Sequence, residues 1–493
     1  MARSTRRGRG AALGAALVTV ALLAACGGGA EDENDDADSS ADPGSAPDGT
    51  APDGAEDPTA PPESSSEGTA GSPETPTDGG AVPEEVLAPE LEGYADLSGQ
   101  TIEIATRWTG SERDRFDQVL DAFEQATGAR VDQLGLGGNP VLAITESLDN
   151  GRPPNVAVVG SPTLVRSLAE DGAIVPLAEE VRATIEDSYA PTWTDLGSVD
   201  GDVYAVWMEA TSKSLLWYDA AAYADAGVEE PATWDDLLAG LRELSGTDVA
   251  PVTVGVDYGW PLTDWFENAY LRLAGPEAYD QLVDREIPWT DPSVVETLEV
   301  LAEVWGDPEL VLSGGLDRSY PDTVENVFSD DPSAATLVGG EYVAGSIEGQ
   351  TDAVVGEDAM FFPWPEMDGS APTVVGEAGG AVAFDSEPGT AELMRYLASP
   401  EAANIWIALG GTTSPNQRAD LDLYEDDLSR EIAQQIVGAE VFRLDLSDLV
   451  PPDFGASQLE GLWPVLIDFY EDPSDPAATA QALEDAAADV YGD

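Results

Sequence analysis

The sequence contains no histidine among its 493 residues. Without this side chain the protein cannot form a Ser-His-Asp or Cys-His nucleophile pair, and it cannot bind zinc through imidazole. Paired carboxylates could still hydrolyse a glycosidic bond. Because the chain has 96 acidic residues, however, a match in spacing between two of them carries almost no information. The absence of histidine therefore excludes these catalysts and leaves a carboxylate pair as the open alternative.

Positive charge is also scarce, with 20 Lys and Arg against 96 Asp and Glu and a formal net charge of −76. Nucleic-acid binding needs clustered cations that displace counterions from phosphates, and the sequence has no such cluster. A strongly acidic surface suits high ionic strength, where salt screens the repulsion between like charges. The charge balance therefore excludes a nucleic-acid partner. It indicates an environment of high ionic strength and says nothing about the ligand.

The sequence lacks an apolar run long enough to cross a membrane, which takes roughly 20 residues. Its longest candidate is the stretch 11–25, and four arginines precede it within the first nine residues. This layout is typical of a secretory signal peptide, which we place at 1–25. The pair Arg6 and Arg7 leaves open whether export is general or twin-arginine.

Cysteine is represented by one residue, Cys26, so a disulfide within the monomer is excluded. Cys26 ends the apolar run and stands in Leu-Ala-Ala-Cys-Gly (23–27), which resembles the lipobox of bacterial lipoproteins. The resemblance implies that Cys26 carries lipid and anchors the protein to the outer face of the cell membrane. The alternative is an ordinary secreted protein that is cut near Ala25.

The segment 27–93 contains no aromatic residue, no lysine and no arginine. Such a composition cannot bury enough apolar surface to offset chain entropy. Repulsion between the acidic side chains also favours extended conformations of this segment. We therefore expect a disordered acidic tether over 26–96.

From about Leu97 onward the composition is globular, and all 12 tryptophans lie beyond this point. The segment 97–493 exceeds a typical single core, so we expect two lobes. In its opening part, predicted strands at 101–105, 129–136 and 155–160 alternate with predicted helices at 111–127, 140–149 and 163–170. This order favours a parallel α/β sheet, whose ligands lie beyond the carboxyl ends of the strands. The loops 106–111 and 160–162 are thus candidate binding loops.

Tryptophan is the informative residue type, since the faces of a sugar ring are apolar and can pack on indole. In the predicted helix that begins near Trp260, the side chains of Trp260 and Asp264 lie one turn apart and can face the same space. An indole plane beside a hydroxyl acceptor suits a carbohydrate. The alternative is that the tryptophans are core residues, as most are.

Several short motifs resemble the extracellular solute-binding proteins of carbohydrate ABC transporters, the group related to maltose-binding protein. The motifs are WTGSE (108–112), GRPPNVA (151–157), VDGDVY (199–204), KSLLWY (213–218), PATWDDL (231–237), AGPEAY (274–279), GGTTSPN (410–416) and RLDLSD (443–448). Their order spans the whole predicted globular part. Within the group, the chain most resembles the branch associated with α-glucosides.

The resemblance implies an α/β, two-lobed periplasmic-binding-protein-like fold with hinge crossings and a ligand cleft between the lobes. We expect lobe one over about 97–213 and 345–395, and lobe two over about 218–340 and 400–493. The segment 213–218 is expected to be one crossing. Lys213 either braces this hinge or pairs with a carboxylate of the cleft.

The resemblance also implies the residues of the ligand site. They are Trp108, Thr109, Glu112, Ser161, Trp260, Asp264, Trp265, Glu341, Tyr342, Trp364, Gly379 and Thr413. We expect no catalytic residue, cofactor or metal. The implied partners are a sugar or oligosaccharide and the permease subunits of an ABC importer, and the protein is expected to be a monomer. A surface-anchored glycosidase and an adhesin are the alternative functions.

Overall fold

The structure is a computed structural model that describes residues 82–91, 93–137, 140–410 and 412–492. Within these ranges, no helix combines the length and the apolarity that a membrane span requires. The predicted signal peptide at 1–25, the predicted lipid site at Cys26 and the tether up to residue 81 lie outside the described residues.

The strands in the described part have the following bounds: β1 Thr101–Thr106, β2 Arg130–Gly135, β3 Val156–Val159, β4 Ser198–Val199, β5 Asp202–Val203, β6 Ala205–Ala210, β7 Leu215–Asp219, β8 Ala250–Val252, β9 Ala334–Val338, β10 Ala359–Pro363, β11 Thr373–Gly376, β12 Ala378–Ala383 and β13 Val441–Leu444.

The helices have the following bounds: α1 Glu84–Leu87, α2 Gly110–Thr127, α3 Pro140–Asp149, α4 Pro162–Glu170, α5 Glu179–Ser188, α6 Pro191–Leu196, α7 Ala220–Ala226, α8 Trp234–Leu244, α9 Trp260–Val283, α10 Pro292–Trp305, α11 Tyr320–Phe328, α12 Val343–Gln350, α13 Pro388–Leu397, α14 Pro400–Ala408, α15 Asp427–Gly438, α16 Leu446–Leu449, α17 Pro452–Gly455, α18 Leu462–Glu471 and α19 Pro476–Tyr491. Short 3₁₀ turns lie at Gly315–Asp317 and Leu421–Leu423.

Two sheets form the centres of two lobes. The first sheet has the order β2-β1-β3-β12-β6, in which β1 is parallel to β2 and to β3. The second has the order β10-β7-β9-β8. The predicted alternation of parallel strands and helices over 101–170 is therefore confirmed. It could be predicted because periods of 2.0 and 3.6 residues are local properties of the sequence.

The chain passes between the sheets in three crossings. The first crossing is the segment 211–214, which joins β6 to β7. The second consists of β11 and the residue after it, which lead from the second sheet to β12. The third is β13, which leads from α15 to the last four helices. The crossings lie side by side, since β11 pairs with β13 and the backbone N–H of Lys213 donates to Val375 O at 2.8 Å. Hydrogen bonds thus join all three connections.

The lobe boundaries differ from those expected. Ala359–Pro363, expected in lobe one, pairs with Leu215–Asp219 in the second sheet. Pro400–Ala408, expected in lobe two, packs on α2 of the first lobe, where Trp406 contacts Phe116. The expected lobe limits are therefore wrong at these two segments, because the chain stays in the second lobe through β10 and in the first lobe through α14.

The predicted tether also ends too late. Leu87, Leu91 and Tyr94 pack against the apolar core of the first lobe. The Arg395 guanidinium lies 3.8 Å above the centre of the Tyr94 ring. These few apolar side chains find a surface on the lobe, so the end of the tether at residue 96 is corrected to a position before Leu87.

The middle of α9 supports the first crossing through Asn268, which is fully buried. Its amide nitrogen donates to Lys213 O at 3.1 Å, and its amide oxygen accepts from the Ser214 hydroxyl at 2.5 Å. The same oxygen accepts from Arg272 at 3.1 Å. Asn268 therefore satisfies three buried polar groups at once.

We expect Asn268→Leu to destabilise the protein by about 2–4 kcal/mol, because each buried polar group left unpaired costs about 1–3 kcal/mol. The shift of the urea unfolding midpoint measures this loss. Asn150→Ala, at an exposed helix end, serves as the control and should change stability by about 0.5 kcal/mol or less. Equal midpoints for the two variants would contradict the role of Asn268.

Candidate ligand site at the lobe junction

On the first lobe, a charged pair lies at the carboxyl end of the central strands. Arg107, just after β1, contacts Glu209 of β6 at 2.7 Å. Burial raises the pKa of Glu209, although Arg107 lowers it in part. Gly379 allows this packing, since a Cβ at that position would lie 2.3 Å from Glu209 Oε1. Gly379 thus lies beside the Arg107–Glu209 pair, because its lack of a side chain leaves room for the Glu209 carboxylate.

On the second lobe, three aromatic rings meet at the start of α9, and we name them the aromatic cluster: Trp260, Tyr320 and Tyr342. The ring centre of Trp260 lies 4.6 Å from that of Tyr320 and 6.3 Å from that of Tyr342. Trp260 is half-buried and Tyr342 is exposed. The cluster therefore presents aromatic surface to open space, unlike most tryptophans of the chain.

Asp264 follows one helical turn after Trp260 and is almost fully buried. Its Oδ2 has no hydrogen-bond partner in the described part of the chain. Burial raises the pKa of Asp264 to about 7, against the opposing effect of Lys213. Its carboxylate is also within electrostatic reach of Tyr342. An acceptor thus lies beside the aromatic cluster.

Glu341 provides a second carboxyl group at the junction. It accepts a hydrogen bond from the backbone N–H of Ser212 in the first crossing, at 3.4 Å. Burial, with a smaller contribution from the charges of Glu377 and Glu209, raises the pKa of Glu341 to about 8, although the Ser212 hydrogen bond lowers it in part. Near neutral pH the Glu341 carboxyl group is therefore mainly protonated and can donate a hydrogen bond to a ligand.

Lys213 is the single lysine of the sequence, and it connects the crossings. Its ammonium group contacts Asp445, which follows β13, and lies 3.3 Å from Glu377, which follows β11. Burial lowers the pKa of Lys213, but Asp445, Asp264 and Glu377 raise it above its ordinary value, so the ammonium group stays charged. Lys213 therefore braces the hinge by contacting carboxylates, which combines the two predicted alternatives.

Three tryptophans that were expected in the ligand site lie in the apolar core instead. Trp108, Trp265 and Trp364 are 4, 2 and 3% exposed. Trp108 packs on Phe116 and Trp406, with ring centres 4.5 and 4.8 Å apart. We therefore correct the expectation that these three indoles stack on a ligand, because other side chains already cover them.

Trp265 and Trp364 contact each other, with their ring centres 5.3 Å apart, and Trp364 also stacks on Trp234. Sequence spacing could not reveal this, because the direction in which an indole points depends on packing between distant segments.

The remaining predicted residues lie at helix starts or in a connecting segment. Thr109 is the N-cap of α2 and Glu112 lies in its first turn, and both side chains are exposed. The Ser161 hydroxyl accepts from the Leu164 N–H at 3.4 Å and so caps α4. The carbonyl of Thr413 accepts from the N–H of Ala210 at 2.9 Å. Ser161 and Thr413 therefore have clear structural roles, whereas Thr109 and Glu112 are free to face a ligand.

Sequence reasoning missed other polar residues of the junction, which are Arg107, Glu209, Tyr320, Glu377, Asp445 and Asp448. Arg107 lies in the predicted binding loop 106–111 and could have been found there. The other five residues lie in segments that are distant in the sequence, and the fold brings these segments together at the lobe junction.

A two-lobed α/β fold with a polar and aromatic junction between its sheets is the architecture of solute-binding proteins. The sequence profile described as bacterial extracellular solute-binding protein matches residues 109–404. The chain belongs to this family.

Curated relatives cover most of the chain. It is 31% identical over 369 residues to the osmoprotective compounds-binding protein GgtB of Synechocystis sp., covering 73% of this chain and 86% of that protein. It is 29% identical over 411 residues to the alpha-glucosides-binding periplasmic protein AglE of Rhizobium meliloti, covering 79% and 88%.

Solved structures agree on the fold. The bacterial solute receptor AcbH superposes with a TM-score of 0.71 at 17% identity, covering 81% of this chain and 99% of that one. The GacH receptor of Streptomyces glaucescens superposes with a TM-score of 0.55 at 16% identity, covering 80% and 99%.

Proposed function

We propose that this protein binds a carbohydrate between its two lobes and delivers it to the permease of an ABC importer. The observation that carries this proposal is the partly exposed aromatic cluster beside the buried carboxyl group of Asp264. The names of GgtB and AglE support a small organic solute, and that of AglE favours an α-glucoside.

The chemistry of the junction suits a sugar. The C–H face of a pyranose ring can lie on Trp260, while hydroxyl groups at the ring edge need polar partners. The carboxyl groups of Asp264 and Glu341, both at the lobe junction, are candidates for these polar partners. Sites of this kind orient a ligand with a few polar groups on a mainly apolar surface.

Transport requires that the ligand changes the balance between an open and a closed form. A sugar that contacts both lobes favours the closed form, whereas one that contacts a single lobe equally in both forms shifts nothing. We propose that Arg107, Thr109 and Glu112 supply the contacts on the first lobe. The three crossings provide the hinge about which the lobes rotate.

The protein is proposed to act outside the cytoplasm. The signal at 1–25 directs export, and Cys26 receives lipid that holds the protein at the outer face of the membrane. The acidic tether lets the folded lobes reach the permease. Anchoring of this kind needs more than one acyl chain to be stable. We propose that the protein is a monomer.

A binding protein and a glycosidase make different predictions for the same sugar. We expect isothermal titration with maltose, trehalose and sucrose, in high salt, to show saturable binding of at least one sugar at one molecule per chain. Chromatography of the same mixtures after prolonged incubation should show the sugar unchanged. Release of glucose with turnover would favour the carboxylate-pair glycosidase, and absence of binding across a broad glycoside panel would reject the proposal.

A further inference from the structure

Three buried carboxylates lie together at the lobe junction, and one of them, Asp264, also belongs to the proposed sugar site. Asp264 and Glu267 belong to α9, and Asp445 belongs to the third crossing; their side chains are 4, 0 and 2% exposed. One carboxylate oxygen from each lies within 4.8 Å of those from the other two. We name this group the buried acidic triad.

Each member of the buried acidic triad has an oxygen without a hydrogen-bond partner among the described residues: Asp264 Oδ2, Glu267 Oε2 and Asp445 Oδ1. The other oxygen of Glu267 accepts from the Ser447 N–H at 3.0 Å. The other oxygen of Asp445 accepts from the Lys213 ammonium group. Unpaired buried carboxylate oxygens are costly, so a missing partner is indicated.

The charges in this region do not balance. The triad carries −3 when ionised, and Lys213 contributes +1, which leaves −2. Glu377 and Asp448, whose oxygens lie within 4.8 Å of Asp445, add further negative charge on the exposed side. One divalent cation would neutralise the buried part.

We propose that Asp264, Glu267 and Asp445 bind one divalent cation, and that this cation is calcium. Three carboxylates are hard oxygen ligands, which calcium prefers, and calcium accepts irregular coordination. Magnesium requires near-octahedral geometry and retains several waters, which a buried triad of this kind disfavours. The site does not depend on the identity of the sugar or on the transport function.

The cation would join the lobe that carries the aromatic cluster to the hinge. Asp264 and Glu267 lie four and seven residues after Trp260, near the start of α9. Asp445 holds Lys213, which in turn lies beside Glu377 of the second crossing. Calcium would thus stabilise the folded protein and fix Asp264 beside the sugar.

The test uses the full chain after exhaustive treatment with EDTA and dialysis into 1 M NaCl, which screens the acidic surface. We expect one terbium ion per chain to bind saturably with luminescence sensitised by tryptophan, and calcium to displace it. Calcium should raise the unfolding temperature more than magnesium does. Glu267→Gln should weaken terbium binding at least tenfold and reduce the calcium-induced shift.

Asp330→Asn, at an exposed acidic position, is the matched control and should leave both responses unchanged. If Glu267→Gln fails to fold, Asp264→Asn provides the second variant with the same expected loss. Equal terbium affinity in the wild type and both triad variants would overturn the site, because the ion would then bind only at the surface. Absence of any saturable calcium or terbium response would also overturn it, leaving shared protons to neutralise the triad.

Discussion

Replacing Trp260 by alanine is expected to weaken binding of the best α-glucoside by about 100-fold, which corresponds to about 2.8 kcal/mol. The physical reason is the loss of the exposed aromatic face on which the sugar ring packs, together with the contacts that hold Tyr320 in the aromatic cluster. Isothermal titration of wild type and variant with the same sugar measures the change. Thermal unfolding without sugar should differ little, because Trp260 is only half-buried.

Two control variants make the Trp260 result specific. Trp260→Phe retains an aromatic face and should lose no more than about tenfold in affinity, or about 1.4 kcal/mol. Trp108→Phe alters an indole that packs in the core, so it should lower stability and leave affinity unchanged. The placement of the sugar would be wrong if Trp260→Ala bound normally, or if Trp108→Phe lost affinity to the same extent.

Lys213→Met is expected to lower the free energy of unfolding by about 3–5 kcal/mol, because it leaves the buried Asp445 carboxylate without its partner. The ammonium group also connects the third crossing to the second through Glu377, so its loss should loosen the hinge. Urea unfolding measures the stability, and titration with sugar measures the effect on binding.

The double variant Lys213→Met, Asp445→Asn separates charge from packing. It removes both members of the buried ion pair and should recover part of the stability that Lys213→Met loses. Arg443→Met is a matched control, since Arg443 pairs with the half-exposed Asp280 and its loss should cost less. A urea unfolding midpoint of Lys213→Met equal to that of the wild type would contradict a bracing role for the lysine.

The fold could be predicted from the sequence wherever its determinants are local. The strands and helices of 101–170 follow from side-chain periodicity and capping residues. The lobe boundaries could not be predicted, because they depend on pairings such as that of Ala359–Pro363 with Leu215–Asp219. No composition change marks the place where the chain moves from one sheet to the other.

The ligand site, like the fold, could be predicted only where its residues are close in the sequence. Trp260 and Asp264 share one turn of α9, so helical spacing alone brings them close. Trp108 occupies the expected position after β1, yet its ring turns into the core, which periodicity does not specify. Glu377 and Asp445 are brought together by the pairing of β11 with β13, and no local pattern in the sequence indicates that contact.

The central claim is that a carbohydrate binds between the lobes and favours their closure. Small-angle X-ray scattering tests it most directly, on a chain that begins at residue 82, with and without a saturating amount of the best α-glucoside. The account predicts that the sugar lowers the radius of gyration of the wild type and leaves that of Trp260→Ala unchanged at the same concentration. Saturable binding of the sugar to the wild type with identical scattering curves would contradict it.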